Sequence, residues 1–186
     1  MIEKEHWLKT FLETKKAIEK QDLIKLKILS NQTIHSASIN QDAESITIAV
    51  IIYAIGKILE RNDYRQKPEW NKFYRNLLLE IDIIIDSLKK DNLKKFSLTL
   101  EKLRKNTGKI SGKMRRYIEE VLHKASINKA SRIYEHGISL EKTAKLLGIT
   151  LWELSNYAGQ TGIADVKLGK TLNIKNRIKL ALEMFK

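Results

Sequence analysis

Arg116 and His123 stand seven residues apart in a stretch of helical periodicity, two turns along nearly one face. At that spacing an arginine can hold a scissile phosphate while a histidine moves a proton. The remaining histidines, His6, His35 and His136, form no pair at ligand spacing on one helix, and no carboxylate cluster accompanies them. There is no Gly-rich phosphate loop of the Walker or dinucleotide kind. The chain has no cysteine, which removes disulfides and thiolate metal sites and fits a reducing, cytoplasmic setting. The expectation is a protein that is not an enzyme and needs no cofactor or metal.

A second group of residues suits a polyanion. The net charge is +13, but residues 1–60 sum to zero and residues 91–132 carry +8. The densest stretch, EKLRKNTGKISGKMRRY, sets Lys102, Arg104, Lys105, Lys109, Lys113, Arg115 and Arg116 against Glu101 alone. Such a connector neutralises several phosphates and releases their counterions, which gives salt-sensitive, sequence-independent affinity. A neutral first third argues against a uniformly Lys-rich composition as the cause. Tyr117, beside this stretch, could stack on a base or pack within the bundle.

The elements that must carry these residues read as all-α. Trp7, Leu8, Phe11, Leu12 and Ile18 recur at helical spacing in a first helix from about Ile2 to Gln21. Asp22 suits the N-cap of a second, after which NQTIHSASIN (31–40) reads as a polar turn. A third helix from near Asp42 is apolar nearly all round, which predicts the centre of a bundle. Asn62 to Lys67 reads as a charged linker and Pro68 as part of a first helical turn. A long helix then reaches about Lys90. Asp91 or Asn92 caps the next helix, with Phe96, Leu98, Leu100 and Leu103 buried. Gly108 and Gly112 flank a break, and a lever helix runs from about Lys113 to His136, stopped by Gly137. No internal repeat is evident. The expected organisation is an N-terminal helical bundle over 1–107, then the lever, a helix-turn-helix and a basic C-terminal helix over 113–186. The longest apolar stretch, Ile46 to Leu59, falls short of the ~20 residues that span a bilayer, and the charged first twenty residues leave no room for a signal-peptide core.

Residues 139–159, SLEKTAKLLGITLWELSNYAG, resemble the general prokaryotic helix-turn-helix. Ala144 is the small residue where two helices cross, Gly148 supplies the turn, and Leu147, Ile149, Leu154 and Tyr157 take the apolar positions. Thr150 and Glu153 stand at capping-box spacing. Thr143 departs from the pattern, which favours a larger apolar residue there. Gly148, Ile149, Trp152, Glu153, Leu154, Gly162 and Ile163 further resemble a family of small antitoxin-like proteins associated with PIN-type nuclease toxins. That likeness implies a transcriptional regulator or antitoxin whose nuclease-toxin partner is a separate chain, and it is silent on the first 138 residues.

In a major-groove geometry the second helix would present Thr150, Leu151, Trp152, Ser155 and Asn156. Asn156 can bond adenine, and Thr150 or Ser155 can reach bases or phosphate. The helix has no Lys or Arg, so phosphate attraction falls to flanking Lys142, Lys145, Lys167 and Lys170. Leu151 and Trp152 suit protein contact better than phosphate. The leading expectation is a regulator that binds nucleic acid, with duplex DNA as the partner and no membrane. Two alternatives accompany it. One is an RNA-binding bundle resembling the HEPN-class RNases, from which Tyr117 departs by replacing the polar residue after the arginine. The other is a scaffold whose helix-turn-helix grips another protein.

Overall fold

The computed structural model describes residues 2–40, 43–105, 112–135, 139–147 and 149–160, with side chains at 2, 38–40, 43, 105, 112–115, 131–135, 142 and 146 outside the description. Among the described residues all regular structure is helical. The elements are α1 (Ile2–Glu19), α2 (Leu23–Asn40), α3 (Ala43–Glu60), α4 (Asn62–Arg65), α5 (Trp70–Lys89), α6 (Leu93–Lys105), α7 (Gly112–Glu135), α8 (Leu140–Leu147) and α9 (Leu151–Gln160). No helix among these residues is long and apolar enough to cross a membrane.

α3 is the axis of the fold. Ile46, Ile48, Val50, Ile51, Ile52, Ile55, Ile58 and Leu59 are all buried. They cover most of the helix circumference, leaving a strip with exposed Lys57 and Glu60, and α3 accordingly packs against α2, α6, α7 and α8. Ile48, Ile51, Ile52 and Leu59 join a cluster with α1, α5 and α6, while Ile46, Ala49, Val50 and Ala54 join a second with Ala125 and Ala130 of α7 and Ala144 and Leu147 of α8. Removing one such side chain, as in Ile52→Ala, should cost about 2–5 kcal/mol.

α2 corrects the expectation of a turn over 31–40. The helix continues through the polar stretch because Leu26, Leu29, Ser30, Thr33, Ile34 and Ala37 form one buried stripe at three- and four-residue steps. Its hydroxyls are absorbed locally. Thr33 donates to the Leu29 carbonyl at 2.9 Å, and Ser30 reaches the Ala49 carbonyl on α3 at 2.7 Å. Composition suggested a loop, but the packing face decides. The expected linker at 62–67 likewise contains the short helix α4, and α5 starts at Trp70, two residues after Pro68. Leu98, expected in the core, is 64% exposed. It lies two residues from Phe96, some 200° around the helix from the stripe made by Phe96, Thr99, Leu100 and Leu103.

Two helix hairpins, α1–α2 and α5–α6, are built alike. Gln21 and Asp91 both adopt left-handed backbone, with φ of 55° and 58°. At each, the next amide returns to the carbonyl five residues back: Asp22 to Ala17 and Asn92 to Ser87, both at 2.8 Å. This is the Schellman pattern that closes a helix end. The same Asp22 and Asn92 side chains then cap the following helices, accepting from the Lys25 and Lys95 amides at 2.9 Å. α1 packs on α5, and Trp7 ties the halves together by stacking on Phe96 at 5.1 Å and donating to Ser45 on α3 at 2.7 Å. The likeness in sequence is short: KQDLIK (20–25) and KDNLKK (90–95) share a Lys, a Leu and a Lys at matching positions, too little to read as a repeat.

Candidate functional site

α9 is fixed from one side only. Leu154 and Ala158, one turn apart, are buried against α7 and α8. At its start Thr150 and Glu153 form the reciprocal cap: the Thr150 amide donates to the Glu153 carboxylate at 2.9 Å, and the Glu153 amide donates to the Thr150 hydroxyl at 3.1 Å. The Thr150 hydroxyl also donates to that carboxylate at 2.6 Å, so it is committed to the cap. The Thr150 hydroxyl and amide, and then His123, hold the Glu153 carboxyl below its ordinary range. In the turn before α9, the Ile149 amide closes on the Ala144 carbonyl at 3.1 Å. Ala144 is buried, which allows α8 its close approach. Gly148 lies outside the described residues.

Two polar contacts link α7 to α9. His123 Nε2 lies 3.2 Å from Glu153 Oε1, and Asn128 Nδ2 donates to the Tyr157 hydroxyl at 3.1 Å. The opposite side of α9 is open. Trp152 is 74% exposed and Leu151 48%, and Ser155 and Asn156 are exposed beside them. Trp152 thus stands in solvent. Asn156 Oδ1 accepts only a long bond from Gln160, at 3.4 Å.

The basic residues divide. Lys102 pairs with Glu80 at 2.9 Å, and half-buried Arg104 pairs with Glu101 at 3.3 Å, so both are partly spoken for within the bundle. Arg116 on α7 and Lys145 on α8 are exposed and form no ion pair among the described residues. The side chains of Lys105, Lys113, Arg115 and Lys142, and all of Lys109, Lys167 and Lys170, lie outside the described residues, as do Gly108, His136, Gly137 and the expected C-terminal helix. His123 lines a cleft of 260 Å³ with Arg104, Glu119 and Ser126, and Arg116 is not among the lining residues. Among the described residues the arginine that lines the histidine's cleft is Arg104, brought by α6 from outside the helical spacing.

Sequence reading did not anticipate a larger cavity of 990 Å³ between α3, α4, α7 and α9, walled by Tyr53, Tyr64, Tyr117 and Tyr157. Tyr117 stacks on Tyr64 with centroids 3.8 Å apart. Each tyrosine comes from a different helix, so no local spacing signals the group. The chain matches no protein-family model, and neither curated proteins nor solved structures give a significant match.

Proposed function

We propose that the chain is a DNA-binding regulator that acts through α8 and α9 as a helix-turn-helix and performs no catalysis of its own. The observation that carries this reading is the one-sided seating of α9, which leaves Leu151, Trp152, Ser155 and Asn156 in solvent beyond a capped N-terminus. Asn156 is the group suited to adenine, and Ser155 to a base edge or phosphate. Exposed Lys145 and Arg116, with the basic stretch around them, would supply phosphate attraction. The α1–α2 and α5–α6 hairpins act as the scaffold that holds α3 and α7. An antitoxin role would add a separate nuclease chain as partner.

The test is a salt series of binding to duplex DNA, single-stranded DNA and RNA. Duplex DNA should bind best, with a steep salt slope. Replacing Lys113, Arg115 and Arg116 together by Ala should flatten that slope by roughly 2 to 3 units. Absence of binding to any duplex at low salt contradicts the proposal. A second reading is favoured by one observation: the exposed side of α9 bears Leu151 and Trp152 but no cation. That surface suits a protein partner, and Trp152→Ala would then abolish partner capture while sparing any phosphate-driven affinity.

A further inference from the structure

Four of the six tyrosines wall the 990 Å³ cavity, and their faces carry the protein's own cations. Arg61 sits 5.4 Å from the Tyr117 centroid and Lys67 sits 6.0 Å from that of Tyr64, so the stacked pair is flanked by positive charge at both ends. Outside the lining, buried Lys129 is 4.3 Å from the Tyr53 centroid and donates to Asn31 at 2.9 Å. The carboxylates of the cavity are engaged next door: Glu60 holds Lys57 at 2.7 Å and Glu120 holds Lys124 at 2.6 Å. Arg61 is exposed and forms no ion pair among the described residues, and its charge adds to the lowering of the Glu120 carboxyl that Lys124 dominates. Burial pushes the Tyr117 phenol up, so this wall stays neutral at physiological pH. The cavity is therefore aromatic and net positive, at the upper end of the roughly 300–1,000 Å³ of small-molecule sites.

We propose that this cavity binds a small anionic ligand bearing a planar ring, of the nucleotide class. Arg61 takes the phosphate, and the planar ring packs against the tyrosine edges, since the faces of Tyr53, Tyr64 and Tyr117 are covered by one another and by Lys57, Lys129, Lys67 and Arg61. A cationic ligand is disfavoured because Arg61, Lys67, Lys57 and Lys129 already occupy the electron-rich ring faces. The cavity reaches α9 through Tyr157, whose hydroxyl accepts from Asn128 on the α7 wall. Occupancy therefore shifts the seating of α9. The regulatory meaning of that shift rests on the proposed function, whereas ligand binding itself does not.

Isothermal titration of the full chain with AMP, ATP and GTP tests the site, with adenosine and inorganic phosphate as the separated halves of the ligand. At least one nucleotide should bind, and each half alone should bind at least about tenfold more weakly. Arg61→Ala should weaken nucleotide binding by about tenfold or more with an unchanged melting curve, since the side chain is exposed. Iodide quenching reads the coupling: Trp7 and Trp70 are buried at 9% and 8% exposure, so the quenchable emission belongs to Trp152 on α9. Bound nucleotide should change that quenching. No nucleotide binding at about 1 mM, or binding that Arg61→Ala leaves intact, overturns the site. Binding without a quenching change overturns the coupling. Neither readout uses nucleic acid, so a chain that binds no DNA would sink the proposed function without touching this result.

Discussion

The Asn128 amide donates to the Tyr157 hydroxyl at 3.1 Å, tying α7 to the far end of α9 while His123 meets Glu153 at the near end. α7 in turn rests on α3, the most buried helix of the chain. Among the described residues the exposed side of α9 is thereby referred to the bundle core through these polar contacts and the apolar anchors Leu154 and Ala158. Any function placed on that side inherits its orientation from α3.

Tyr157→Phe removes the acceptor and leaves the half-buried Asn128 amide with one partner fewer. The expected loss is about 1 kcal/mol, read as a lower urea midpoint with an unchanged slope. An unchanged midpoint would mean that this bond contributes nothing to holding α9.

Thr143 is the position where the helix-turn-helix pattern favours an apolar residue. It is fully buried, and its hydroxyl has no hydrogen-bond partner among the described residues. Thr143→Val removes that orphaned group at nearly constant shape. The variant should be more stable by about 1 kcal/mol by chemical denaturation. A destabilised variant would show that the hydroxyl is satisfied in solution.

The cap at Thr150 makes stability pH-dependent in a defined sense. The Glu153 carboxyl is held below 4.5 in the folded chain, mainly by the Thr150 hydroxyl and amide. A depressed carboxylate adds stability that is present above its unfolded pKa and is lost as pH falls through the folded one. Wild type should therefore lose its advantage over Glu153→Gln as pH drops below 4.5. Comparing the two melting curves isolates this group from Glu13, Asp91 and Glu120, which shift the same way. A difference that stays constant between neutral and acid pH contradicts the assignment.

Trp152 projects into solvent, so Trp152→Ala should change stability by no more than about 0.5 kcal/mol. A buried tryptophan would cost about 3–5 kcal/mol. A large loss would place Trp152 inside the fold.

Much of this arrangement is legible in the chain itself. The α5 stripe of Trp70, Phe73, Leu77, Ile81, Ile84 and Leu88 follows helical steps, and these residues are buried as the pattern predicts. Asp22, Asn92 and Thr150 cap helices because short polar side chains precede apolar runs, a local signal. The helical course of 31–40 was not legible, since Asn, Thr and Ser compete with the helix until α3 covers Ile34 and Ala37. The likeness of the two hairpins has only a short signal, Lys20, Leu23 and Lys25 against Lys90, Leu93 and Lys95, and is carried mainly by the backbone geometry at Gln21 and Asp91. The tyrosine cavity had no signal at all: Tyr53, Tyr64, Tyr117 and Tyr157 meet only once four helices are packed. Exposure of Trp152 was likewise undecidable from spacing, because it lies next to residues on both sides of α9.

The central claim, that α9 reads bases, is tested most directly by Asn156→Ala. A preferred duplex is first selected from a random pool with the wild-type chain. Affinities of wild type and variant are then measured on that site and on unrelated duplex at the same salt. If α9 reads bases, the variant loses about 1–3 kcal/mol on the preferred site and little on the unrelated one. Equal affinity of the two chains for every duplex would contradict it.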